Sequence, residues 1–172
     1  MVKDVTIEQI ISIEDYVDEL AVLLIEVVDG GSSMGFLPSL DLLGSRAYWE
    51  NVLGPEVILF VAKINDSVVG SVQLHLCNQE NGDHRVEIAK LMIHPNYRRN
   101  GIGRLLMQKA AVRAKNEDRS LLVLNTKAGD PTNQLYTSLG YIQVGRIPNY
   151  TMSIDRVLHA TFLYYKIQRL EI

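Results

Sequence analysis

The stretch from Ile88 to Ala114 most limits what this chain can become. An apolar run, Ile88 to Ile93, ends at His94-Pro95, and Arg98-Arg99-Asn100-Gly101-Ile102-Gly103 follows. Apolar residues then recur at 102, 105, 106 and 110, which is helical spacing. The succession is therefore strand, glycine turn, helix. Backbone N–H groups converge at such a helix start, the positive end of the dipole lies there, and glycines admit an anion to main chain that a Cβ shields. Arg98, Arg99 and Arg104 add charge to the same spot. Two readings fit the residues: a phosphate-binding turn, or a tight strand-to-helix turn with solvated arginines. Neither the dinucleotide pattern G-x-G-x-x-G nor the P-loop pattern is present. The turn also falls past mid-chain, behind several candidate strands, where a Rossmann domain opens with it.

The 172 residues read as one domain spanning 1–172, with no linker or repeat to divide it. A net charge of −3 and a pI near 5.8 argue against a nucleic-acid or membrane surface and favour small anionic ligands. Cys77 is the only cysteine, which excludes a disulfide framework and points to a reducing, cytoplasmic setting; the residue itself reads as a small hydrophobe in a strand. Charged residues from Lys3 to Asp18 exclude the apolar centre of a signal peptide, and no apolar run is long enough for a bilayer. His75, His84, His94 and His159 are scattered, so no metal site is expected.

Along the chain, Val2 to Ile7 reads as a first strand, and Ser12 as the cap of a helix reaching Val28. A glycine-rich loop, 30–35, precedes a shorter helix between Pro38 and Val52. Val57 to Ile64 and Val68 to Cys77 form a hairpin about Asn65-Asp66. Arg85 to Ile93 is a fourth strand, Gly101 to Lys115 a long helix, Leu121 to Thr126 a fifth strand, and Pro131 to Leu139 a short helix ended by Gly140. Tyr141 to Arg146 and Ala160 to Ile167 complete the sheet, with 148–158 as a loop. The order describes a mixed α/β (α+β) sheet with a parallel crossover at 86–126, whose carboxyl ends face the arginine and glycine turn.

Strand, Pro95, Arg98-x-x-Gly101-x-Gly103, helix, strand and then Leu135-Tyr136-Thr137-Ser138-Leu139-Gly140-Tyr141 together resemble the GNAT family of acyl-CoA-dependent N-acetyltransferases. The segments 26–36, Lys90-Leu91-Met92 and 159–166 look like the branch containing the tabtoxin-resistance acetyltransferase. The resemblance implies a twisted mixed sheet of about seven strands flanked by about four helices, with strands four and five splayed apart. It also implies acetyl-CoA as co-substrate. The backbone of Leu91, Met92 and Ile93 is expected to pair with the pantetheine arm, and Arg98, Arg99, Asn100, Gly101, Ile102, Gly103 and Arg104 to hold the pyrophosphate.

Acetyl transfer to an amine needs a neutral nucleophile, a donor to the thioester oxygen and a proton for the departing sulfur. An alkylamine with a pKa near about 10 arrives protonated, so a base is required. Glu87 lies eleven positions before Arg98, where histone-acetylating relatives place a glutamate base; otherwise it is a solvated glutamate on an open face. Tyr136 occupies the family position of the general acid, against a reading as a core aromatic with its hydroxyl at the surface. The oxygen donor is expected to be a backbone N–H near Ile93. Gly129 stands where many relatives carry an asparagine seven residues before that tyrosine. Asn125 stands where the tabtoxin-resistance relative carries an aspartate; it reads as a contact to cofactor or substrate, or as a cap for the next turn. Gly31, Ser32, Met34 and Phe36 belong to the segment that covers the acceptor in the family. Tyr48, Trp49 and Tyr150 read as core, dimer contact or pocket lining.

The reading is a cytoplasmic homodimer that acetylates the amine of a small molecule such as a toxin, antibiotic or amino-acid-like metabolite, with no metal, membrane or nucleic acid. The alternatives are a protein or peptide N-acetyltransferase and a non-catalytic acetyl-CoA-binding regulatory module.

Overall fold

The computed structural model describes residues 4–170. β1 (Val5–Ile10), β2 (Val57–Ile64) and β3 (Ser67–Leu76) form an antiparallel meander that β4 (Arg85–Ile93) extends. Asn65 and Asp66 take φ of 50° and 64°, the left-handed pair that a tight two-residue hairpin requires. β4 then pairs in parallel with β5 (Leu121–Lys127), and the sheet closes with the hairpin of β6 (Ile142–Met152) and β7 (Leu158–Ile167) in the order β1-β2-β3-β4-β5-β7-β6.

α1 (Val17–Asp29) and α2 (Leu42–Glu50) cover one face, and α3 (Ile102–Asn116) and α4 (Thr132–Ser138) the other. On the first face Leu20, Leu23, Leu24, Val27 and Val28 of α1 pack with Trp49 against Leu59, Val61 and Met92. The helical spacing of those α1 residues makes the stripe, and each large side chain buried there stabilises the fold by about 1.5–3 kcal/mol. Ser45 Oγ donates to the Ala21 carbonyl at 2.8 Å and ties the two helices together. On the second face Ile102, Leu106, Met107, Ala110 and Ala114 of α3 meet Phe60, Val72, Leu74, Val86 and Leu122. Gly70 lets α3 come this close: a Cβ there stands 3.0 Å from the Met92 carbonyl and 3.2 Å from Leu106.

Three details depart from the sequence reading. Val2 lies outside the described residues, and β1 runs on to Ile10. α1 starts at Val17 and not at Ser12, because a turn closed by Tyr16 N–H on the Ile13 carbonyl precedes it and no side chain caps it; the Tyr16 hydroxyl instead accepts from Lys63 Nζ. Residues 148–152, read as loop, continue β6: Asn149 takes a φ of 57°, a register irregularity lies between Ile147 and Thr151, and pairing resumes at Thr151. That irregularity admits Pro148 into an edge strand.

Candidate active site

β4 and β5 are paired only at Arg85–Leu121, Val86–Leu122 and Glu87–Val123. Beyond Glu87 they part, leaving a cleft of about 1510 Å³ between Ile88–Ile93 on one side and 125–132 on the other. A strand edge that turns from its neighbour leaves main-chain donors and acceptors unpaired.

One end of the cleft is the start of α3. Its N-cap, Gly101, takes a φ of 77°, and no side chain caps the helix; the first turn holds no acidic residue. Leu105 N–H is the first to bond back, to the Gly101 carbonyl, so the donors before it face the cleft. By contrast α2 is capped in the ordinary way, Asp41 accepting from Gly44 N–H at 2.8 Å. Arg99 has a φ of 64°, and this left-handed turn followed by Gly101 curls the loop around the helix start. Arg98, Arg99, Gly101, Ile102, Gly103 and Arg104 line the cleft. Arg98 reaches Ser32 Oγ at 3.2 Å, and Arg104 reaches Ser138 Oγ at 2.7 Å. Asn100 does not line it. Its amide donates to the Tyr97 and Arg98 carbonyls and holds the loop's shape from behind.

Tyr136, 6 % exposed, lies on α4 against Tyr141 and Tyr164, with ring centroids 6.0 and 5.8 Å away, and borders the cleft. Burial pushes its phenol above the ordinary 10.0, opposed in part by a hydrogen bond with Thr132. Asn125, exposed at the end of β5, borders the same space.

Glu87 sits at the fork, exposed to the cleft and directly across from His75 on β3. Opposed residues share a face, so His75, Gln73 and Glu87 all point to the α1 and α2 side. Gln73 is fully buried; its Nε2 donates to the Tyr48 hydroxyl at 3.0 Å, and its Oε1 lies 2.9 Å from His75 Nε2. With the amide nitrogen thus engaged, His75 Nε2 carries the proton and donates to Oε1. Burial lowers the His75 pKa, the Glu87 charge works against that, and Lys90 reinforces it.

Lys90 is the residue the periodicity of β4 hides. Gln73 faces Ala89 and Ser71 faces Met92, so Lys90 and Leu91 share one place in the ladder, and Lys90 takes a φ of 55°. A left-handed turn at a residue with a Cβ costs about 1–2 kcal/mol. Its ammonium donates to the Met34 carbonyl at 2.6 Å and lies 5.9 and 6.0 Å from the ring centres of Phe36 and Tyr48. Burial lowers its pKa, with Glu87 opposing. Lys90 and Arg98 therefore pin the 30–36 loop over the cleft. Gly31, Ser32 and Met34 line it; Phe36 does not, packing edge-on against Tyr48 at 5.3 Å. Trp49 is fully buried core, and Tyr150 borders the cleft. Cys77 lies just beyond β3, half-buried, with Arg85 3.3 Å from its Sγ. Among the described residues no group of three or more metal-ligating side chains is found.

The sequence model of the Acetyltransferase (GNAT) family matches residues 33–141. The chain belongs to this family. Acetyltransferases of the GNAT family use acetyl-CoA as co-substrate, and the open helix start, three arginines and unpaired strand edge of this chain suit a polyanion with an amide-bearing arm. Human N-alpha-acetyltransferase 30 is 30% identical over 97 residues, 56% of this chain and 27% of that protein. The chain thus spans about a quarter of the length of the curated relatives it matches. A GNAT acetyltransferase from Streptococcus pneumoniae superposes with a TM-score of 0.81 at 18% identity, over 96% of this chain and 100% of that one. An acetyltransferase from Salmonella typhimurium, solved with its cofactor acetyl-CoA, gives 0.79 at 14% identity over 99% and 97%. The GNAT fold carries the splay at strands four and five that the sequence reading expects. No described helix is long and apolar enough to cross a membrane.

Proposed function

We propose that this GNAT enzyme transfers the acetyl group directly to the amine of a small molecule. The observation that carries the reading is the roof of the acceptor side: Lys90 and Arg98 bind the 30–36 loop down over the cleft, which favours an enclosed pocket over an open groove. The sequence likeness to the tabtoxin-resistance branch supports it. Acetyl-CoA supplies an activated thioester; the chain's own residues then bind, orient and move protons. Donors from Arg99 to Arg104 and the guanidinium groups of Arg98, Arg99 and Arg104 hold the pyrophosphate, while main chain at Leu91, Met92 and Ile93 aligns the arm.

Glu87 takes a proton from the acceptor ammonium, directly or through one water, leaving a neutral nucleophile. Tyr136, whose phenol borders the cleft, gives its proton to the leaving sulfur. Asn125 hydrogen-bonds acceptor or cofactor across from Glu87. The long edge strand β6, with Ile142 and Val144 exposed and Ile154 and Val157 at its tip, supports a homodimer. A second reading, an α-amine at a peptide's amino terminus, draws on the likeness to N-alpha-acetyltransferase 30. Thiol release from acetyl-CoA against parallel panels of small amines and peptides separates the two. Turnover confined to peptides overturns the small-molecule reading, and acetyl-CoA binding without turnover supports a regulatory module.

A further inference from the structure

The acceptor half of the cleft holds a charge that the acetyl-transfer chemistry does not use. The bulge in β4 decides where Lys90 goes. Strict alternation places residue 90 with Ile88 on the α3 face; the extra residue sends Leu91 there instead and swings Lys90 to the face shared by Gln73, His75 and Glu87. Its partners on that face are neutral: the Met34 carbonyl and the rings of Phe36 and Tyr48. Among the described residues no carboxylate lies within ion-pair distance of it. An ammonium has three donors, and one is engaged by Met34. A half-buried cation whose charged neighbour on that face, Glu87, stands beyond ion-pair distance is matched best by an anion on the ligand.

The surroundings fix which ligand. The arginines lie at the far end, around the start of α3. Across the fork, Val123, Asn125 and Lys127 alternate onto the Glu87 face, so Lys127 brings a second ammonium to the acceptor side of the same cleft. Asp130, which also borders the cleft, is engaged by Thr132 N–H and Oγ1. A polycationic acceptor meets Lys90 and Lys127 as well as Glu87 and Asp130, whereas a zwitterion meets Glu87 with its ammonium and Lys90 with its acid group.

We propose that Lys90 is a specificity residue that receives a carboxylate of the acceptor, and that the acceptor is an amino acid or amino-acid-like zwitterion whose amine meets Glu87. This rests on the small-amine reading of the site.

The test compares acceptors in matched pairs: L-phenylalanine with phenethylamine, L-methionine with 3-(methylthio)propylamine, and L-lysine with cadaverine. Each is measured by kcat/KM and by calorimetric binding to the wild type, Lys90→Met and Lys90→Arg. The wild type is expected to favour the acid of the best pair by about tenfold or more, most of it in KM. Lys90→Met removes that preference and Lys90→Arg keeps most of it. An equal fall for both members of each pair in Lys90→Met makes Lys90 only a tether for the 30–36 loop and overturns the proposal. Equal rates for acid and amine in the wild type overturn it without any variant and leave the small-amine reading standing. Acetylation of peptides and of no member of any pair overturns that reading and the proposal together.

Discussion

Gly101→Val separates the cofactor end of the cleft from the fold. Gly101 takes a φ of 77°, and a Cβ built there meets nothing within 4 Å, so the protein itself has room for a side chain. The penalty to folding is the left-handed backbone alone, about 1–2 kcal/mol for a residue with a Cβ and somewhat more when it is β-branched. In a chain of this size that lowers Tm by about 2 to 8 °C. The penalty to the ligand is larger, because the new methyls occupy the space through which phosphate oxygens reach the N–H groups at the start of α3. Losing two charge-assisted hydrogen bonds at about 1.5–3 kcal/mol each weakens acetyl-CoA binding by roughly a hundredfold to ten-thousandfold. Calorimetric titration with acetyl-CoA, beside a melting curve for each protein, reads both quantities. A folded Gly101→Val protein that binds acetyl-CoA within about threefold of the wild type refutes the assignment of pyrophosphate to this helix start.

Glu87→Gln is expected to lower kcat at neutral pH by about a hundredfold or more while leaving acetyl-CoA affinity intact. The deficit narrows as pH rises toward the acceptor's own pKa, because the amine then arrives neutral; a pH-rate profile parallel to that of the wild type removes Glu87 as base. Tyr136→Phe should slow transfer by about a hundredfold with little change in KM, measured as thiol release. Stability should fall in alkali. Tyr136 and Tyr141 have folded pKa values raised above 10.0 by burial, so above that pH the unfolded chain sheds protons that the native one keeps. Their contribution is complete below pH 10.0 and is lost above it at up to about 1.4 kcal/mol per pH unit for each ring. Urea unfolding that stays flat from about pH 8 to about pH 11 contradicts this.

Much of the fold was legible because its signals are local. Apolar periodicity marks α3, Asn65-Asp66 marks the β2–β3 turn, and the Arg98–Gly103 motif marks the junction on which the cleft depends. What escaped depends on pairing across strands. The β4 bulge falls at Lys90, which is neither glycine nor proline, so nothing in the chain announces the reversal of faces. Gln73 and His75 belong to no motif, and their place next to Glu87 exists only once β3 lies beside β4. Pro148 and Asn149 carry loop chemistry, yet the edge position of β6 tolerates both. The late start of α1 follows from Tyr16 being held by Lys63 across the sheet, a contact 47 positions away in sequence.

The helix start without a cap bears on the protein's survival as well as on its chemistry. α3 packs its length into the sheet but leaves its first donors to be satisfied by what enters the cleft. If the pyrophosphate lies where we propose, acetyl-CoA serves as the missing cap of a central helix. At a concentration one-hundredfold above its dissociation constant such a ligand adds about 2.7 kcal/mol to the native state. Because the capping group is the pyrophosphate, coenzyme A with or without its acetyl group is expected to protect the enzyme from proteases, and removal of both to expose it.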